Sequence, residues 1–239
     1  MIKYLTVPLL CLLVIGLLSC ASYDKQLMGQ VQKVALVSVY ADKRVNMNDF
    51  GGLAAMVSAL VQDEKFRLEP IVNAVKNRVL TEYSKHMPFE FLPEDDIIRK
   101  DRYMNLEGMD TGLSLKHFVA TPPGYLGLGY LNVTAFDKLT VAIPDADAMV
   151  YVWTNFILKK EFELLGIGTA RVQATVTLAV KNRDGKEVMS IFQIGESVGV
   201  LEFALGGVFD ATRLLPMCDE AAKMAASHMT NWLQNTFQN

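Results

Sequence analysis

The chain has 239 residues, of which 51% are hydrophobic, with 23 basic and 26 acidic side chains. That length fits one compact domain with a sizeable core. A mildly acidic chain without blocks of Lys and Arg excludes a nucleic-acid binder, because phosphate neutralisation needs clustered positive charge.

Residues 1–19 carry a single charge, Lys3, and an apolar run from Leu5 to Leu18. The run is shorter than the ~20 residues that span a bilayer and suits the apolar core of a signal peptide. It ends in Leu17-Leu18-Ser19-Cys20, which resembles a bacterial lipobox. That resemblance implies cleavage before Cys20 and a diacylglycerol on its thiol, so the membrane is a partner through the N-terminal lipid. Ala21 and Ser22 follow instead of the Asp that resembles an inner-membrane retention signal, so the expected site is the outer membrane, facing the periplasm. With Cys11 in the signal and Cys20 lipidated, Cys218 is left alone as a buried thiol on a helix face.

In chain order, residues 20–32 read as a lipidated tether and 33–239 as a single domain. Val34 to Tyr40 is β-branched and almost continuously apolar, as in a strand buried on both faces. Leu53, Met56, Val57, Leu60 and Val61 repeat at helical spacing over 49–62. Phe66 and Leu68 form a brief extended piece, and after Pro70 a second helix runs to about Lys85. Phe89 to Leu92 alternates as a short strand. Pro93-Glu94-Asp95-Asp96 then opens a helix, with Ile97, Ile98 and Tyr103 facing inward. Residues 105–130 are irregular, and Val133 to Ile143 predicts a short helix before Pro144.

Ala148 to Leu158 is apolar on both parities and predicts a central strand. Val172, Ala174, Val176, Leu178 and Val180 alternate with Arg171, Gln173, Thr175, Thr177 and Lys181, which predicts one buried face and one facing water. Asp184-Gly185 supplies a turn, and Val188 to Ile194 returns. A final helix buries Cys218, Ala221, Ala222, Ala225, Met229, Trp232 and Leu233. The expected fold is α/β: a mixed sheet of about five strands flanked by helices, in an anticodon-binding-like two- or three-layer arrangement.

No catalytic set emerges, and the expectation is a protein that is not an enzyme. His86, His117 and His228 lack the partners at metal-ligand spacing that a zinc site needs, so no metal is expected. Glu94, Asp95 and Asp96 diverge around a helix, and Asp145 and Asp147 have no nucleophile or base beside them. The glycines of 124–129 follow Pro122-Pro123 and no Gly-Lys-Ser/Thr is present, which argues against nucleotide and leaves no cofactor implied. The informative surfaces are two Gly-rich apolar loops, 121–131 and 195–209. Tyr125, Leu126, Leu128, Tyr130, Leu201, Phe203 and Phe209 either pack on the domain's own core or form an exposed patch for a partner.

The motifs Asp145-Ala146-Asp147-Ala148 and Asp184-Gly185-Lys186-Glu187, with the order of elements over 34–235, carry a resemblance. The chain resembles a group of periplasmic lipoprotein domains that includes the curli secretion channel protein, the penicillin-binding-protein activator lipoprotein and neisserial-type lipoproteins. It departs from the group in its helical segment 64–86 and its loop 121–131, and shows no pair of long amphipathic pore-forming hairpins. The resemblance implies a non-enzymatic envelope component that binds proteins in assembly or transport, with a homo-oligomer as one form of partner. The alternatives are a periplasmic carrier of an apolar ligand and a hydrolase-type enzyme.

Overall fold

The structure is a computed structural model that describes residues 21–50, 65–106, 118–204 and 208–238. It is an α/β fold built on one mixed sheet of nine strands. The strands are β1 (Ala21–Tyr23), β2 (Lys33–Asp42), β3 (Glu90–Phe91), β4 (Val119–Ala120), β5 (Ala148–Leu164), β6 (Ile167–Asn182), β7 (Glu187–Glu196), β8 (Leu201–Ala204) and β9 (Val208–Phe209). Their order is β1-β7-β6-β5-β2-β3, with β4 on β2, β8 on β6 and β9 on β8. Among the named strands of the described residues, the parallel pairings are those of β2 with β5 and with β3. A parallel pair must be buried on both faces, and β2 and the first half of β5 read as unbroken apolar runs for that reason.

Among the described residues six helices flank the sheet: α1 (Lys25–Met28), α2 (Glu69–Thr81), α3 (Asp95–Ile98), α4 (Asp101–Met104), α5 (Val133–Ala142) and α6 (Leu214–Phe237). The larger core lies under α2 and α6, where Val150, Val152, Phe156, Val172, Val176 and Leu178 meet Ala221, Ala222, Ala225 and Met229. The smaller core lies on the opposite face, under α3, α4 and α5, around Val37, Tyr103, Leu139, Met149 and Tyr151. Pro70 and Pro216 both sit within a first helical turn, where a missing N–H removes no intrahelical bond. Cys218 is a free, buried thiol on α6, and burial raises its pKa away from any nucleophilic role.

The two motifs that carry the resemblance have local structural duties. Asp147 Oδ2 accepts the N–H groups of Gln32 (3.0 Å) and Lys33 (2.8 Å), and the Asp147 N–H donates to the Lys33 carbonyl (2.8 Å). It therefore clamps the start of β2 to the start of β5 and sets their parallel register. Arg183, in the β6–β7 turn, donates to the carbonyls of Thr140 (2.9 Å), Pro144 (3.1 Å) and Ala146 (2.9 Å), closing the C-terminal end of α5. Gly185 completes that turn at φ +77°, a backbone conformation that side chains with a Cβ rarely adopt. Replacing Asp147 by Ala removes two charge-assisted bonds and should destabilise the fold by ~2 kcal/mol, read as a lower urea midpoint with an unchanged slope.

Several elements differ from the sequence reading. Residues 21–32 are folded onto the sheet rather than free: β1 pairs with β7, and Asp24 caps α1 by accepting the N–H groups of Gln26 and Leu27. The second helix ends at Thr81, and residues 83–85 continue as a 3-10 turn. The sheet exceeds five strands because β1, β4, β8 and β9 are two to four residues long and leave no periodicity to read. The water-facing side of β6 is covered at its β7-turn end, where Thr177 and Ala179 are buried. Of the helix expected over 49–62, only the 3-10 turn Asn48–Phe50 lies within the described residues, and the signal peptide and Cys20 lie outside them.

Candidate interaction surface

The two Gly-rich loops turn most of their apolar side chains inward. Tyr125, Leu128, Leu201 and Phe203 are buried, so they present no surface. The reason is polar anchoring of the first loop and strand formation in the second. In the first loop, Ser38 Oγ, at a bulge of β2, accepts the Leu128 N–H (2.9 Å) and reaches the carbonyls of Leu126 and Leu128. The Tyr103 hydroxyl accepts the Leu126 N–H (3.0 Å) and donates to the Val37 carbonyl (2.8 Å). In the second loop, β8 adds to β6 at 168–170, and Phe203 stacks edge-on against Phe50 at 4.9 Å. Leu126 and Tyr130 are half-buried. Phe209 lies on β9, with its side chain outside the described residues.

Tyr130 is fixed at several points. Its hydroxyl donates to Glu187, its carbonyl accepts from Lys181 Nζ (2.6 Å), and its ring lies 3.9 Å from that ammonium and edge-on to Tyr151 at 5.6 Å. Burial raises the Tyr130 pKa, and Glu187 adds to the rise. Burial lowers the Lys181 pKa, with Glu187 opposing. A high-pKa phenol beside an ammonium on an aromatic face is a brace that ties the loop to the sheet.

The acidic and histidine candidates do not converge. Glu94 pairs with Lys76 (2.8 Å), Asp95 with Arg99 (3.1 Å) and Asp145 with Lys100 (3.4 Å). Asp96 stands in the first turn of α3. His228 Nδ1 lies 2.7 Å from the Ile194 carbonyl on β7, His86 faces Gln234, and His117 lies outside the described residues. No group of three His, Cys, Asp or Glu that could hold a metal occurs among the described residues.

The feature that the sequence reading missed is the turn at the far end of the β5–β6 hairpin. Both strands run beyond the covering helices and join through Leu165-Gly166, with φ of 51° and 79°. This is the two-residue turn that matches strand twist, and its first position ordinarily holds Asn, Asp or Gly. Here it holds a Leu that is 87% exposed. Phe162, Leu164 and Ile167 beside it are each more than half exposed. The sequence signal was the Gly166 after a charged, alternating stretch; the Leu before it concealed the turn.

Register places these side chains on one face. Leu164 opposes Ile167, and Phe162 opposes Thr169, after a bulge between Lys160 and Phe162 shifts the parity of β5. Behind them Lys159 opposes Arg171, and then Ile157, Gln173 and Glu196 form a row across three strands. Two further rows follow: Asn155, Thr175 and Ile194, then Trp153, Thr177 and Phe192. The charges between the apolar ends are matched: Lys159 lies 3.8 Å from Glu196, and Arg171 is held by Glu161 and by the carbonyls of Ser197 and Val198 (both 2.9 Å). The opposite face of the tip is filled by Phe203 and Phe50, with Lys160 Nζ over both rings. Thus one face of the arm carries apolar side chains at its tip, with Glu202 opposite Thr169, then a charge-balanced belt, and its base is partly covered, with Thr177 buried and Trp153 against Tyr130.

Cavities of the described residues that lie away from the Gly-rich loops include two beside α6. One, of about 320 Å³, runs between α2 and α6, with Ile71, Val75 and Ala222 at its floor and Arg78, Glu82, Asp219 and Lys223 at its rim. The other, of about 740 Å³, is an open depression between α1 and the end of α6. Both are shallow clefts whose rims carry charge.

No helix among the described residues is long and apolar enough to cross a membrane. No family model and no curated protein matches the chain. Three solved structures are similar over most of its length, at low identity and low structural agreement. A PelC dodecamer from Paraburkholderia phytofirmans is 8% identical, covers 89% of this chain and 96% of its own, and gives a TM-score of 0.31. The hypothetical protein CT253 from Chlamydia trachomatis is 10% identical over 86% of this chain and 99% of its own, with a TM-score of 0.35. The lipoprotein GNA1162 from Neisseria meningitidis is 13% identical over 86% and 99%, with a TM-score of 0.28. Likeness at this level leaves the reading of the chain to its own residues.

Proposed function

We propose that the chain is a bacterial envelope lipoprotein, anchored through acyl chains on Cys20 and working without chemistry of its own as a protein-binding or assembly component. The observation that carries this reading is the arm. Leu165 occupies a left-handed backbone position that disfavours it and exposes nearly all of its side chain to water. Both features are unfavourable in an isolated domain, and strain of this kind persists where it serves a contact.

The lipobox-like Leu17-Leu18-Ser19-Cys20 supports the anchor and an outer-membrane, periplasm-facing site. Because β1 begins at Ala21, a lipid on Cys20 would hold the sheet edge at the headgroups with no slack between them. The paired state of the candidate acids supports a binding role over a hydrolytic one. Cys20→Ala tests the anchor: the variant should carry no acyl label and leave the outer-membrane fraction, either released as soluble protein or held as uncleaved precursor by its apolar segment. A variant that still fractionates as acylated protein sinks the lipid-anchor claim.

A further inference from the structure

We infer that the corner of the domain formed by β1, α1 and the end of α6 is a second membrane contact, resting in the headgroup layer of the bilayer that holds Cys20. This depends on the lipid anchor proposed above and adds a protein surface to it.

The charge pattern of α6 marks the corner. Its first half carries Asp219, Glu220 and Lys223, and beyond Lys223 the sequence holds no Asp, Glu, Lys or Arg. The exposed side chains at its far end are the amides of Asn231, Gln234, Asn235 and Gln238. The last turn lacks even the basic residue that would suit the negative end of the helix dipole. Uncharged amides hydrogen-bond in a headgroup layer without bringing a charge toward hydrocarbon.

Aromatic side chains close the same end. The Phe237 ring lies edge-on to Tyr23 at 5.7 Å and to Trp232 at 5.8 Å. Tyr23 is 37% exposed, and Trp232 and Phe237 are half-buried. Beside them opens the depression of about 740 Å³, with Met28, Met87 and Phe89 in its wall. Tyr and Trp collect at membrane–water boundaries because an apolar ring with a polar tip suits both sides. Charge does not oppose the contact. Lys25 lines the depression, and Lys85 adjoins the end of α6, where Gln238 donates to its carbonyl (3.3 Å). The acids nearby are occupied: Asp24 by the α1 N–H groups and Glu187 by Ser22 and Tyr130, while Glu90 stands level with Lys33 in the parallel pair.

Position selects a bilayer over a protein partner. Ala21 opens β1 and is bonded to Cys20, so Tyr23 lies within ~11 Å of the Cys20 Cα. Acyl chains on Cys20 start from that point and bring their bilayer with them. A protein on this corner would have to share the space with lipid. The arm is a separate surface. Ala21 pairs with Ile191 and Ile191 with Leu178, which leaves ~35 Å of β6 between the corner and the turn of the arm.

The test uses the acylated mature protein in phosphatidylethanolamine–phosphatidylglycerol vesicles whose acyl chains carry bromine, a quencher that acts at contact range. The chain has 2 Trp residues. Trp153→Phe leaves Trp232 at the corner. Trp232→Phe leaves Trp153, which packs on Tyr130 beside the core of the opposite sheet face. Bromine should quench Trp232 emission roughly twofold and Trp153 emission by less than about a tenth. Adding Tyr23→Asp and Phe237→Asp should restore most of the Trp232 emission, with circular dichroism unchanged and acyl chains still on Cys20 by mass spectrometry.

Trp232 quenched no more than Trp153, on protein that carries its acyl chains, overturns the inference and leaves the anchor standing. Quenching indifferent to the two added substitutions also overturns it, because proximity would then come from the anchor alone. Protein without acyl chains on Cys20 overturns both. If Trp232 stays unquenched and a cross-linker at Phe237 captures a discrete envelope protein, the corner belongs to that protein and not to lipid.

Discussion

Gly195→Val should leave the chain largely unfolded. Gly195 sits on β7 where α6 crosses it. A Cβ added there would lie 2.2 Å from the Ala225 nitrogen and 2.4 Å from the Ala221 carbonyl oxygen. Both atoms are helix backbone, so no side-chain rotation relieves the clash. The helix must lift, and with it Ala221, Ala222, Ala225, Ala226 and Met229 lose their seat on the sheet. The stripe is made of small residues because the helix approaches so closely; their size and the glycine are one adaptation. We expect a loss of at least ~4 kcal/mol, set against a total of roughly 5–15 kcal/mol for an ordinary domain. Gly199→Ala is the control. Its Cβ would come no nearer than 3.5 Å to Glu220, an ordinary contact, and the change should stay within ~1 kcal/mol. Urea unfolding of the two variants gives the comparison. Equal midpoints would mean that α6 does not depend on this crossing.

Leu165→Asn should do the opposite to the fold and remove the function. Asn tolerates the left-handed position, whereas other side chains with a Cβ are disfavoured there by roughly 1–2 kcal/mol. The variant should gain ~0.5–1 kcal/mol and melt a few degrees higher. It also replaces the most exposed large apolar side chain among the described residues with a polar one. If the arm engages a partner through its tip, the more stable protein binds more weakly. Stability and binding that move in opposite directions at one exposed residue are hard to explain by folding. A destabilised variant, or one with binding untouched, would count against the role assigned to the tip.

The parts of the fold that were legible in the sequence are those with a period long enough to see. Val34 to Tyr40, Ala148 to Leu158 and the alternation from Val172 to Val180 each predict their strand, and the spacing after Pro70 predicts α2. Asp184-Gly185 announces its turn through a residue type. The two-residue strands β3, β4 and β9 have no period, and β3 was readable only through the alternation of Phe89 to Leu92. The apolar loops keep two readings in the sequence for another reason. Whether Tyr125 and Leu128 pack on the core or face a partner is decided by Ser38 and Tyr103, far away in sequence, which hold the loop's backbone against the sheet. Polar anchors of that kind are long-range and leave no local mark.

The arm failed to show itself in the opposite sense. Glu161 to Leu164 alternates charged and apolar side chains, as a strand does, but a Leu stands where the turn chemistry calls for Asn. The residue that hides the turn is the same one whose exposure marks the surface. Local preference and tertiary role disagree at one position, which is what a functional site is expected to produce.

The most direct measurement places a photo-activatable cross-linking amino acid at Leu164, and in a second strain at Val141 on α5, in the full chain within intact cells. Both side chains are exposed, at 63% each, so they differ in location and not in access. Discrete protein adducts from position 164, reduced by Leu165→Asn, and none above background from position 141, are the predicted result. Adducts at position 141 with position 164 silent would contradict the assignment of the arm as the working surface.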